Sequence, residues 1–135
     1  MKKEIEIKSD KDALSKAEIF LSDFKKEFVP NLGDRFFNIL IAYTEAINNA
    51  VNHGNIKNPS KSVKIKLEII DNQSLEISVQ DQGEGFEEKK IPDPTLPENL
   101  YKDSGRGVFL IKKLADGVDY KINSYGTLVR MKFDI

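Results

Sequence analysis

The chain contains no cysteine. That excludes a disulfide framework, a thiolate nucleophile and any zinc site built on sulfur, and it is compatible with a reducing compartment. No apolar run approaches the ~20 residues that a membrane-spanning helix needs. The opening MKKEIEIKSD alternates charge with isoleucine, where a signal peptide would carry an apolar core. Charge of one sign is also missing: the formal net charge is −1, with Lys and Asp/Glu interspersed. Such a surface carries neither the footprint of a nucleic-acid binder nor a membrane-surface patch. A cytoplasmic location is expected, with no membrane partner and no direct nucleic-acid partner.

What is there suffices for a core. At 135 residues and 39% hydrophobic, the chain suits a single domain over 1–135, burying about 68% of its unfolded surface. Isoleucines Ile5 and Ile7 mark a short strand. Ser9, with Asp12 three residues on, resembles a capping box opening a helix to about Phe28. Leu14, Ala17, Leu21, Phe24 and Phe28 give that helix an apolar face, opposite a solvated one of Lys16, Asp23, Lys25 and Lys26.

A second shortage is local. Residues 36–56, FFNILIAYTEAINNAVNHGNI, contain no proline and predict one helix. At ~100° per residue, Phe36, Phe37, Leu40, Tyr43, Ala46, Ile47, Ala50 and Val51 form its apolar half. The other half holds Glu45, Asn48, Asn49 and Asn52, with His53 at its edge. It has one acid and no Lys or Arg, in a chain that is 32% charged. An ordinary amide-rich surface and the wall of a site account for this pattern about equally well.

Downstream, Val63, Ile65, Leu67 and Ile69 alternate with charge, Asp71-Asn72-Gln73 turns, and Leu75, Ile77 and Val79 alternate back, predicting an antiparallel hairpin. A long stretch with Pro92, Pro94 and Pro97 follows, then a short helix from Val108 to about Ala115. Two strands finish, one through Val118, Tyr120 and Ile122, the other through Val129, Met131 and Phe133. The expected order is β-α-α-β-β-loop-α-β-β. Its one-sided strands imply an α+β two-layer sandwich, a mixed but mostly antiparallel sheet covered on one face by about three helices.

Three features carry possible chemistry. Glu45 and Asn49 lie one turn apart on one helix face: an amide oxygen can ligate Mg²⁺, and a carboxylate can orient or deprotonate a hydroxyl. Asp81-x-Gly83-x-Gly85 ends a strand, where glycines let a ligand approach the backbone and Asp81 can accept from an exocyclic amine; alone, this spelling fits a plain turn better. Gly105-Arg106-Gly107 stands at a helix N-terminus, where free N–H groups and the dipole favour phosphate; alone, it too fits a tight turn.

Together and in this order, they resemble the GHKL (histidine-kinase-like, Bergerat) ATPase superfamily. The N box matches Glu45-Ala46-Ile47-Asn48-Asn49-Ala50-Val51-Asn52-His53-Gly54, the G1 box Asp81 to Phe86, and the G2 box Gly105 to Ile111, with Gly126-Thr127 fitting the adenine-pocket threonine. Size and spelling look most like the anti-sigma factor serine kinases. The resemblance implies ATP and Mg²⁺ as cofactors. Asn49 would hold the metal, Asp81 the adenine amine, and Gly83 and Gly85 the base pocket. Gly105, Arg106, Gly107 and Val108 would cradle phosphates, about 86–104 would form the ATP lid, and His53 would finish the pocket or simply pack. Glu45 would be the general base toward a serine or threonine of a small antagonist protein.

A sigma factor or other regulator, and a second copy in a homodimer, are the further partners implied. The alternative is an ATP-gated protein that sequesters a regulator without phosphotransfer. A sensor histidine kinase fits poorly, because the only histidine lies in the N box. Asn55 departs from the aromatic that related sequences often carry after His-Gly.

Overall fold

The computed structural model describes residues 1–56, 58–83, 103–123 and 126–135, without the side chains of residues 53, 103–106 and 123. Its strands are β1 (Lys2–Lys8), β2 (Ser62–Ile70), β3 (Ser74–Gln80), β4 (Gly117–Asn123) and β5 (Gly126–Asp134). Its helices are α1 (Ala13–Phe28), α2 (Arg35–Asn48) and α3 (Asp103–Leu114), and a π-helical turn, Asn49–Gly54, continues α2. The strands form one sheet in the order β1-β2-β3-β5-β4, and all four pairings are antiparallel.

The hairpin register follows from the alternation. Ile65 pairs with Val79, Leu67 with Ile77 and Ile69 with Leu75, so one face is apolar from end to end. Val129, Met131 and Phe133 extend that face across β5. Asp71 and Asn72 both take left-handed backbone conformations, φ 54° and 57°; these residue types tolerate them, and the mirror-image hairpin turn requires them. The opposite face carries Lys64, Lys66, Glu68, Glu76, Arg130 and Asp119 and is solvated, as in a sheet covered on one side only. Arg130 and Asp119, cross-strand partners there, form an exposed ion pair at 3.0 Å.

The helices close the apolar face. From α1 come Ala13, Ala17, Leu21 and Phe24; from α2 come Ile39, Ala42, Tyr43, Ala46 and Ile47; from α3 comes Ile111. Helices α1 and α2 meet through Tyr43, which is fully buried and donates its hydroxyl to the Ala17 carbonyl at 2.6 Å. Burial, with a smaller contribution from Glu18, pushes that phenol far above its ordinary range.

Three local expectations need correcting. Helix α2 turns its buried face toward Ile39 and Ala42, leaving Phe37 66% exposed; the sheet and α1 select a stripe rotated from the one that apolar residues alone suggested. The capping box does not form: α1 begins after Asp12 with no side-chain cap, and Ser9 is wholly buried with other partners. The single helix over 36–56 is in fact α-helical only to Asn48, and the π-helical turn then shifts the hydrogen bonding, as in the 2.8 Å bond from the Asn55 N–H to the Ala50 carbonyl. Among the described helices none is long and apolar enough to cross a membrane.

Replacing Tyr43 by Phe should cost about 1 kcal/mol, the net value of one buried hydrogen bond. Tyr43→Ala should cost about 3–5 kcal/mol, since it also empties the centre of the helical layer. Urea unfolding midpoints measure both; equal costs would show that the ring contributes nothing beyond its hydroxyl.

Candidate functional site

Glu45 lies in the last turn of α2, a helix that packs on α3, and Asn49 opens the π-helical turn; both are half-buried. They face Gly107, which is buried in α3. A methyl group built on Gly107 would stand 2.9 Å from the Glu45 Oε2 and 3.1 Å from the Asn49 Nδ2. A glycine mid-helix costs about 1 kcal/mol against alanine, but here it lets the backbone of α3 come up to a carboxylate and an amide. Helix α3 starts at Asp103, five residues before the expected Val108. Gly105-Arg106-Gly107 therefore lies within its opening stretch and not ahead of it.

The second cluster surrounds Asp81, 6% exposed, just beyond the end of β3. Its Oδ1 accepts from the N–H groups of Gly83 (3.0 Å) and Thr127 (2.9 Å), while its own N–H donates to the Thr127 carbonyl at 3.0 Å. Its Oδ2 accepts no hydrogen bond from any described residue and lies against Gly54. Three glycines permit this crowding. A Cβ on Gly54 would collide with the Asp81 carboxylate, one on Gly83 with the Gly54 carbonyl, and one on Gly126 (φ 144°) with the Asp81 carbonyl. Burial holds the Asp81 carboxyl above its ordinary range, opposed by the Gly83 and Thr127 amides and by Lys61.

Glu45, Asn49 and Gly107 are thus brought together, as are Asp81, Gly83 and Thr127. Thr127 takes part through its backbone N–H and carbonyl, in the ladder beside Asp81. Val108 is half-buried one residue beyond Gly107. Gly85, the Arg106 and His53 side chains and the lid over 86–102 lie outside the described residues, and residues 103 and 104 belong to α3. Sequence reasoning left Gly54 and Gly126 out of the site, although each adjoins a residue it singled out. Asn55 was noticed only as a departure.

Chemically, one cluster offers a buried carboxylate oxygen that accepts no hydrogen bond from any described residue, suited to an amine donor. The other offers a carboxylate and a neutral amide oxygen side by side. Among the described residues no group of three or more His, Asp or Glu could hold a metal unaided. A hard divalent cation at Asn49 would therefore take its remaining ligands from water and from a phosphate-bearing ligand, the usual habit of Mg²⁺.

Across residues 7–133 the chain matches the family described as "Histidine kinase-like ATPase domain". The chain belongs to this family. Among curated members it is 38% identical over 98 residues to "Serine-protein kinase RsbW" of Oceanobacillus iheyensis, covering 67% of this chain and 60% of that protein. It is 29% identical over 120 residues to "Anti-sigma F factor" of Heyndrickxia coagulans, covering 86% and 80%. The chain thus spans less than two thirds of the RsbW relative it matches. Its fold is that of a solved structure, the RsbU and RsbW domains of Rv1364c from Mycobacterium tuberculosis. That likeness has a TM-score of 0.69 at 15% identity and covers 98% of this chain and 32% of the other.

The Asp81 environment sets a pH dependence. A carboxyl raised on folding destabilises the native state above its folded pKa, and the penalty fades as pH falls toward the ordinary value of 3.8. Asp81→Asn, which keeps an oxygen for the Gly83 and Thr127 amides, should therefore raise the thermal midpoint at pH 7–8. That gain should shrink toward pH 4; a gain independent of pH would contradict burial as its source.

Proposed function

We propose that the chain binds ATP with Mg²⁺ and is a serine/threonine protein kinase and anti-sigma factor. Its substrate in this reading is a small antagonist protein in a partner-switching system. The observation that supports it is the meeting of the Glu45 carboxylate and the Asn49 amide on the backbone of Gly107, in the second turn of α3. The names of the curated relatives, a serine-protein kinase and an anti-sigma factor, support the same reading.

In it, Asp81 takes the exocyclic amine of adenine on Oδ2, and Gly83, Gly85 and Thr127 line the base. His53 finishes the pocket. Asn49 holds the metal through its amide oxygen, and Gly105, Arg106, Gly107 and Val108 hold the phosphates. Bound Mg-ATP supplies the transferable phosphoryl group and the cation that offsets charge during transfer. Glu45 would orient the partner's serine or threonine hydroxyl and take up its proton. The scarcity of charge on this face follows, since a lysine would compete with the metal and further acids would repel the phosphates. The partners are the antagonist, a sigma factor or other regulator and a second copy of the chain, in the cytoplasm.

A second reading, ATP-gated sequestration without phosphotransfer, draws on Phe37 and Ile41. They are 66% and 45% exposed one turn apart on α2, apolar surface of the kind that docks a partner.

Glu45→Gln should keep nucleotide affinity while transfer falls by about 10²–10⁴-fold, the value of a lost general base. Intact-mass analysis of candidate antagonist proteins after incubation with Mg-ATP reads the transfer. Unchanged phosphorylation by the variant removes Glu45 from that role, and no mass gain with the native protein favours sequestration. Asp81→Asn should weaken ADP about 10–100-fold in calorimetry, the worth of a hydrogen bond to a charged group. Equal binding of ADP and GDP by the native protein would remove the adenine role.

A further inference from the structure

Asn55 follows the π-helical turn and is 1% exposed, yet every polar atom of its side chain is engaged. Its Nδ2 donates to the Ser9 Oγ at 2.7 Å and to the Ser62 carbonyl at 2.9 Å, and its Oδ1 accepts the Gln82 N–H at 2.7 Å. The Ser62 carbonyl can only accept and the Gln82 N–H can only donate, so the partners fix which end of the amide is oxygen. Gln82 is held twice, because its Oε1 also accepts the Ser62 N–H at 2.7 Å.

Gln82 stands between Asp81 and Gly83. The peptide that joins Asp81 to Gln82 is pinned on both sides: the Asp81 carbonyl accepts from the Gln80 Nε2 at 2.8 Å, and the Gln82 N–H is taken by Asn55. That peptide sets where the Gly83 amide points, and the Gly83 amide holds the Asp81 Oδ1. Asn55 also holds the chain where it would not rest by itself. The next residue, Ile56, is β-branched, 72% exposed and left-handed at φ 53°, a conformation that persists only where the surroundings enforce it.

We propose that Asn55 is the positioning residue of the Asp81 pocket, and through it a determinant of which purine base the pocket accepts. Its carboxamide locks the Asp81-Gln82 peptide, aims the Asp81 Oδ2, and ties the pocket through Ser9 and Ser62 to the end of β1 and the start of β2. The base-selectivity half rests on the ATP-binding reading above; the positioning half does not.

Three variants test both halves: Asn55→Ala removes the lock; Ser9→Ala removes one distant partner of the same amide and leaves the Gln82 bond; Asn55→Asp keeps an acceptor for Gln82 and loses the donor to Ser9 and Ser62. Amide hydrogen exchange of Gln82, Gly83 and Thr127 reads position without any nucleotide. In Asn55→Ala all three amides should exchange at least about tenfold faster relative to the β2–β3 ladder, as expected when a buried bond worth about 1.4 kcal/mol is lost. In Ser9→Ala they should keep their native rates relative to that ladder. Native rates at Gly83 and Thr127 in Asn55→Ala overturn the proposal.

Calorimetry with ADP and GDP reads selectivity, and the ADP-to-GDP affinity ratio should collapse in Asn55→Ala yet survive in Ser9→Ala at similar loss of thermal midpoint. If Asn55→Ala does not fold, Asn55→Asp decides: a destabilised protein with the native ratio supports the proposal, and a lost ratio with Gln82 still protected overturns it. A native protein that binds neither nucleotide, with the exchange pattern as expected, overturns the ATP reading and base selectivity together while positioning stands.

Discussion

The closeness with which four pieces of backbone crowd one carboxylate is the constraint on which the rest of this structure depends. Asp81 lies where the end of β3, the start of β5, the π-helical turn and the Gln82-Gly83 segment converge. Gly54 and Gly126 press against it and Gly83 against Gly54, so that none of the three has room for a Cβ. The sheet order β1-β2-β3-β5-β4 makes this convergence, because it puts the C-terminal end of β3 beside the N-terminal end of β5. A carboxylate taken out of water costs stability when ionised, a cost that the Gly83 and Thr127 amides reduce. The core under α1 and α2 offsets that cost, and in return one carboxylate oxygen remains without a hydrogen bond among the described residues. Natural sites commonly store such a cost where a ligand relieves it.

Much of this was legible in the residues. Alternation set β2, β3 and β5 and their inward faces to within a residue or two, since period-two patterns leave little choice of register. Glu45 and Asn49 stood out because their helix face was short of charge, and Asp81 and Gly83 because a strand ran straight into them. What was not legible depends on tertiary neighbours. Phe37 reads as core by hydropathy, but α1 and the sheet approach α2 from the side of Ile39 and Ala42. Ser9 reads as a helix cap, but Asn55, 46 positions away, occupies its hydroxyl. Asn55 itself carries no local signature, because an asparagine after a glycine ordinarily marks a turn.

The two clusters divide the work by their electrostatics. Around Asp81 the described donors are backbone amides, and both are spent on one oxygen. Around Gly107 the groups are side chains on a helix, Glu45 and Asn49, set against a backbone that a glycine allows near. The first arrangement is rigid and suits recognition; the second keeps side-chain freedom and suits contact with something that changes during a reaction. Between them runs the π-helical turn, with Asn49 at its start and Gly54 at its end.

That turn can be read as an arithmetic of chain length. A π-helical turn is an α-helical turn holding one surplus residue, and the surplus is what lets Asn49 face α3 while Gly54 still reaches Asp81. Removing any one residue between them would close that turn toward α-helical pitch and shorten the span from Asn49 to Gly54 by one residue. The contact of Asn49 with Gly107 and that of Gly54 with Asp81 could then not both be kept, although every side chain named for them would still be present. Spacing, as much as residue identity, is therefore part of what this segment encodes.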